Sequence, residues 1–227
     1  KNIAKISIKK KIPTLNRFFT SKLARDIKKK YGKFDLIIGN NVFAHVPDIR
    51  DFSKGIEILL SESGIVTLEF PHLLQLIKHQ QFDTIYHEHF SYLSVKSINY
   101  LFKNLKLEIF KIEELKSHGG SLRLYIKKKK SKFYKTEESV KKILKKEKDN
   151  QIFKLNTFDK FQNSINLTKE KLINFLIELK LKNKKVIAYG APAKGNTFLN
   201  FCLIDKNLIE FTVDRAKTKI GKFLPGS

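Results

Sequence analysis

Methionine is absent from all 227 residues, and cysteine is represented by Cys202 alone. A single thiol forms no internal disulfide and supplies no multi-cysteine metal site, so neither staple is available within the chain. A reducing, cytoplasmic setting suits such a composition. The missing methionine, the start at Lys1 and the loop-like end Leu224-Pro225-Gly226-Ser227 lead us to expect a fragment cut at both ends. No apolar run approaches the ~20 residues that span a bilayer. The lysine-rich start also lacks the apolar stretch of a secretory signal. Arginine is scarce too: Arg17, Arg25, Arg50, Arg123 and Arg215 are the only ones in a chain of formal net charge +24. Nucleic-acid and phosphate readers favour the planar guanidinium fork, which a lysine does not offer. The lysines of runs such as Lys127-Lys128-Lys129-Lys130 fall at strand ends and on helix faces, and asparagine and isoleucine accompany them, as AT-rich coding brings. They read as a solvated surface, part of which attracts an anionic substrate. Neither nucleic acid nor membrane is the expected partner.

The length allows one large domain or two smaller ones. Residues 2–8 read as the tail of a helix and 12–15 as a short strand. Thr20 is a candidate N-cap for a helix over 22–31 that Gly32 ends. The apolar run 34–39 reads as a buried strand, 49–60 as a helix, Gly64 as a break and 65–70 as a second buried strand. That order argues for a βαβ unit in a parallel sheet. Helices follow at 73–79 and 94–104, and strands at 107–112 and 121–126 close the sheet. Residues 127–184 are charged, with apolar positions at helical spacing and no strand signal. Residues 185–189 (strand), 190–195 (loop), 196–201 (helix) and 208–213 (strand) form a second, truncated βαβ unit. The expected domains are therefore 1–126, a helical connection at 127–184, and 185–227.

In an open α/β sheet, ligands bind beyond the carboxyl ends of the strands. Asn40, Asn41 and His45 fall just past the first strand, where the alternative is an asparagine-rich turn with a capping histidine. Glu69 and His72 end the second strand and are expected to point to the same rim, although a carboxylate there can equally cap a helix. The densest stretch is Phe82-Asp83-Thr84-Ile85-Tyr86-His87-Glu88-His89-Phe90-Ser91-Tyr92. Histidine moves protons near neutral pH, and a neighbouring carboxylate such as Glu88 can orient it. His87 and His89 could instead chelate a metal, but a third ligand and the helical His-Glu-x-x-His spacing are both missing. His118-Gly119-Gly120-Ser121-Leu122-Arg123 offers close backbone approach to a ligand and a cation for an anion, or is a plain hairpin turn. Gly190-Ala191-Pro192-Ala193-Lys194-Gly195-Asn196-Thr197 falls short of both the Walker A and the dinucleotide fingerprints. A glycine loop before a helix still favours phosphate. Asp214 follows where a ribose-binding acid would sit.

Taken together these motifs resemble the C-methyltransferases that act on nucleotide-linked keto-deoxysugars, and the likeness runs from Asn2 to Gly226. The resemblance implies an α/β fold: the second half of a Rossmann-like class I methyltransferase domain, then helices, then a smaller Rossmann-like domain that binds the nucleotide sugar. It implies S-adenosylmethionine as methyl donor, with the glycine-rich cofactor loop before Lys1 and zinc in an absent N-terminal four-cysteine domain. It further implies that a base removes a proton beside the sugar ketone and that the enolate takes the methyl group. His89 takes the place of the base, Tyr86 and Glu88 steady base and enolate, and His45 lines the same pocket. Asn40, Asn41, Phe18 and Phe19 fall on the cofactor side. His118, Arg123, Gly190, Lys194 and Asn196 fall on the substrate side, and no metal site belongs to these residues. A monomer or weak dimer is expected. An O- or N-methyltransferase on a related scaffold, or a non-catalytic nucleotide-binding module, is the alternative.

Overall fold

The computed structural model describes residues 2–226. Helix α1 (Asn2–Lys9) is followed by α2 (Ser21–Tyr31), whose N-cap is Thr20, its hydroxyl accepting from the Leu23 amide at 3.1 Å. Lysines 28, 29 and 30 in the last turn of α2 face the negative end of its dipole, and Gly32 leaves the helix at φ 80°. Strand β1 (Phe34–Asn40), expected to be buried but largely exposed with only Gly39 buried, leads through a short 3-10 turn, Phe43–His45, to α3 (Ile49–Leu59). Asp48 caps α3 by accepting from the amides of Arg50 and Asp51. Asp51 in turn accepts from the Ser21 amide at 2.9 Å, which ties the starts of α2 and α3 together.

Strand β2 (Leu60–Pro71) runs parallel to β1, with Gly39 beside Leu68 and Asn40 beside Glu69. The break expected at Gly64 does not occur, for β2 passes straight through it. A side chain there would meet the Leu60 methyl and Ser61 hydroxyl at 2.8 Å and the Phe34 carbonyl at 2.9 Å, so glycine serves close packing rather than termination. After α4 (Leu73–Lys78) and α5 (Val95–Phe102) come β3 (Leu107–Leu115) and β4 (Ser121–Lys128). The turn between β3 and β4 reverses the chain, and β4 inserts antiparallel between β2 and β3, giving the order β1-β2-β4-β3. The sheet is thus mixed rather than wholly parallel. The strand expected at 12–15 does not form.

Phe43, Ile56, Leu60, Leu68, Phe70, Ile98, Leu122, Leu124 and Ile126 make the centre of the core. Helix α6 (Glu138–Asp149) adds Val140 and Ile143 to it. Helix α7 (Leu155–Leu181), about 40 Å long at 1.5 Å per residue, leads to β5 (Ala188–Tyr189), α8 (Ala193–Cys202) and β6 (Thr212–Val213), the two strands pairing in parallel. Leu176, Cys202 and Ile204 anchor a second, smaller core. Among the described residues no helix is long and apolar enough to cross a membrane.

Candidate active site

The carboxyl ends of β1 and β2 lie side by side, and the loops beyond them are laced together by main-chain bonds. Asn41, at φ 52°, donates its amide to the Glu69 carbonyl at 2.8 Å. In the turn that follows, Phe43 and Ala44 drop into the core, which leaves His45 at the surface end of the turn. The Ala44 carbonyl then accepts from the amides of Phe90 and Ser91, at 2.9 and 3.2 Å. Residues 86–91 are thereby stitched onto the end of β1, although more than forty residues separate them in sequence.

That stitch brings His45, Tyr86 and His89 together. The ring centroids of His45 and His89 are 4.7 Å apart, those of Tyr86 and His89 4.6 Å, and those of His89 and Tyr92 6.2 Å. His89 Nδ1 lies 2.7 Å from the Thr84 carbonyl, and His45 Nδ1 lies 2.7 Å from the Glu88 carbonyl. A carbonyl can only accept, so in both rings Nδ1 carries the hydrogen and Nε2 is the atom left to exchange a proton. Burial pushes the Tyr86 phenol above its ordinary pKa, and the negative charges of Glu88 and Asp83 push it further. Burial also raises Tyr92. Both phenols therefore remain donors at neutral pH.

Glu88 contributes differently from expectation. Its exposed carboxylate has no hydrogen-bond partner among the described residues, and it is its carbonyl that orients His45. The orienting partner of His89 is Thr84. No sequence signal marks Thr84, because any residue type carries a main-chain carbonyl. His87 is exposed and stands apart from the ring cluster. Asn40 and Asn41 lie exposed at the end of β1, with side-chain amides that have no protein partner among the described residues. Free amide donors and acceptors at a strand's carboxyl end suit the polar groups of a nucleoside cofactor. Phe18 is 92% exposed. Phe19 instead turns inward, its ring edge-to-face on Phe52 at 5.1 Å and against the bare face of Gly55.

The end of β2 departs from the expected rim. Glu69 is buried, taking Arg123 Nη2 at 2.9 Å on one oxygen and the Ser117 hydroxyl at 3.1 Å on the other. Arg123 also approaches Glu113 at 3.7 Å, so its charge is already balanced by two carboxylates. His72 points into the interior, not to the rim. Its Nε2 donates to Glu147 of α6 at 2.8 Å, both side chains being fully buried. The same carboxylate accepts the amides of Val95 and Lys96 at the start of α5, at 2.6 and 3.1 Å. His118 is exposed, at φ 51°. The neighbouring glycines are approached by protein rather than left open, since side chains there would meet Gln81 and Gln75.

In the C-terminal unit the glycine loop is shorter than expected, and Lys194 and Asn196 sit in the first turn of α8. Gly190 takes φ 93°, and no side chain caps α8. Asp214 is engaged by the loop itself. Its oxygens accept from the amides of Ala191 and Ala216 at 2.7 and 2.8 Å, and these bonds hold its carboxyl below the usual value. The Lys194 amine has no partner among the described residues, and Asn196 Oδ1 is shielded from solvent without a hydrogen bond. Among the described residues no group of three His, Cys, Asp or Glu side chains could hold a metal ion.

Residues 3–112 match a family model described as a methyltransferase domain, and residues 116–227 match one described as a C-methyltransferase C-terminal domain. The chain is 31% identical over 227 residues to C-methyltransferase NovU of Streptomyces niveus, an alignment covering 100% of this chain and 54% of that protein. The chain thus spans about half the length of that relative. Among solved structures it is similar to an SAM-dependent methyltransferase from Anabaena variabilis ATCC 29413, at TM-score 0.38 and 14% identity over 48% of this chain and 55% of that one.

Proposed function

We propose that the chain belongs to the C-methyltransferases and forms part of an S-adenosylmethionine-dependent enzyme that methylates carbon beside the ketone of a nucleotide-linked deoxysugar. The observation that carries the reading is His89, whose Nδ1–H is held by the Thr84 carbonyl while Tyr86 and His45 flank its ring. Carbon is a poor nucleophile, and a C–H bond next to a carbonyl gives up its proton only to a base. His89 Nε2 takes that proton, and the electron pair of the C–H bond is left on the enolate. Tyr86, kept protonated by burial and by neighbouring carboxylates, donates to the enolate oxygen. His45 has given its Nδ1–H to the Glu88 carbonyl, so its Nε2 is a second acceptor beside His89.

Asn40, Asn41 and the exposed Phe18 are the residues of this chain that would hold S-adenosylmethionine. Bound there, it supplies an electrophilic methyl group. Phe19 supports that side through Phe52 rather than by stacking on a ligand. Gly190, Lys194 and Asn196 hold the diphosphate of the substrate at the uncapped start of α8. His118 and Arg123 line the substrate side, Arg123 as a cation already steadied by Glu69. The zinc that the resemblance attaches to an upstream domain has no ligand set among the described residues. A reducing, cytoplasmic setting is part of this reading, since the single buried thiol needs no oxidising compartment.

The test is His89→Asn in the full-length protein. Methyl transfer to a keto sugar should fall by roughly 10²- to 10⁴-fold, the usual share of general base catalysis. Undiminished transfer would remove His89 as the base and favour an oxygen or nitrogen acceptor.

A further inference from the structure

The turn that orients His89 is held in part from outside the methyltransferase domain. It consists of Phe82–Thr84, and Phe82 and Thr84 are almost fully buried. On one side the Gln81 amide donates to the Leu76 carbonyl at the end of α4 at 2.9 Å, and Gln81 Nε2 donates to the Gly119 carbonyl at 2.8 Å. On the other side the Phe82 ring meets Phe198 and Phe201 of α8, with centroids 5.6 and 4.8 Å away. Within the turn the Thr84 hydroxyl donates to the Gln81 carbonyl at 2.7 Å, and the Ile85 amide donates to the Phe82 carbonyl at 2.9 Å, which holds the peptide plane whose carbonyl receives His89 Nδ1–H. Helix α8 is itself anchored: Cys202 is buried with Leu176 of α7, and Lys169 of α7 lies over the Phe201 ring at 5.4 Å.

We infer that Phe82 is a positioning residue for His89, and that Phe198 and Phe201 of the C-terminal unit brace it. The inference rests on the reading of His89 as the base. A single hydrogen bond to Thr84 decides which nitrogen of His89 is bare. If the aromatic brace loosens, the turn relaxes, Nδ1–H loses its acceptor, and the neutral ring is free to carry its hydrogen on Nε2, where it accepts nothing. The second core then acts on the reaction without touching a reacting atom. The start of α8 and its aromatic residues belong to one rigid rod, about 8 to 12 Å apart along its axis at 1.5 Å per residue.

The experiment uses the full-length protein with ¹⁵N-labelled histidine and the variants Phe82→Leu, Phe201→Ala and Phe201→Tyr. Nitrogen NMR reads the tautomer of His89, and kinetics separates kcat from KM. In Phe82→Leu and Phe201→Ala the Nδ1–H signal of His89 should give way to a tautomeric mixture. The kcat should fall roughly 10- to 100-fold, the range a displacement of about 1 Å can cause, with KM for the methyl donor little changed. Phe201→Tyr keeps the ring contact and should restore both. An unchanged Nδ1–H signal in Phe82→Leu and Phe201→Ala overturns the inference, even if activity falls, because the effect would then bypass the base. If His89→Asn proves fully active, the base assignment fails. The tautomer signal still decides whether the brace exists.

Discussion

At the residue scale, one main-chain carbonyl sets the tautomer of His89. Thr84 takes the Nδ1–H and leaves Nε2 to act, while the nearby Tyr86 phenol is held above its ordinary value of 10.0. A raised phenol keeps its proton until the pH passes that raised value, so donation by Tyr86 persists through neutral pH and is lost only above about pH 10. Tyr86→Phe should lower kcat by roughly 10²-fold, as loss of one donor to a developing oxyanion does. Steady-state kinetics with the full-length protein checks this, and an unaltered kcat would assign the donor elsewhere. The crowded segment 82–92 was legible because histidines, a carboxylate and phenols packed so closely suit no ordinary helix or strand. Its orienting partners were not legible, because they are carbonyls, which every residue carries. The inward turn of His72 was equally hidden, since its partner Glu147 lies 75 residues away.

At the element scale, the starts of α2 and α3 were readable, whereas the start of α8 and the strand interruptions were not. Thr20 caps α2 as its hydroxyl suggests. Gly64 looked like a break, yet it lies inside β2 where neighbouring atoms leave no room for a Cβ. Gly64→Val should cost about 1–3 kcal/mol by overpacking, measured by denaturant unfolding. Asp51 joins α2 to α3, and its hydrogen bonds from Ser21 depress its carboxyl below 3.8. A depressed acid contributes stability that is present above the unfolded value and lost as pH falls through the folded one. The wild type should therefore lose part of its stability below about pH 4, and Asp51→Asn should blunt that loss in melts recorded across acid pH. Glu147 ties α6 to His72 and to the start of α5. It binds His72 and two amides of α5 with no exposure to solvent. Glu147→Ala should destabilise by roughly 3–5 kcal/mol, the usual cost of leaving a buried partner unpaired.

At the scale of the whole molecule, the chain joins two cores through α7, with β1 as the outer strand of the larger sheet. Leu36 and Ile38 stand exposed on β1, and an apolar outer strand invites pairing with another chain. The isolated chain of 227 residues should self-associate with rising concentration, and Ile38→Lys should suppress this in sedimentation measurements. The α/β order of the larger unit could be read from apolar runs between glycines. The antiparallel insertion of β4 could not, because strand direction in a sheet depends on which neighbours are free to pair. The central claim is that His89 removes a proton from carbon, and exchange at that carbon tests it without any methyl transfer. In deuterated buffer, the full-length protein with a nucleotide-linked keto sugar should exchange the hydrogen beside the ketone, and His89→Asn should abolish the exchange. Exchange that persists at the wild-type rate in His89→Asn would contradict the account.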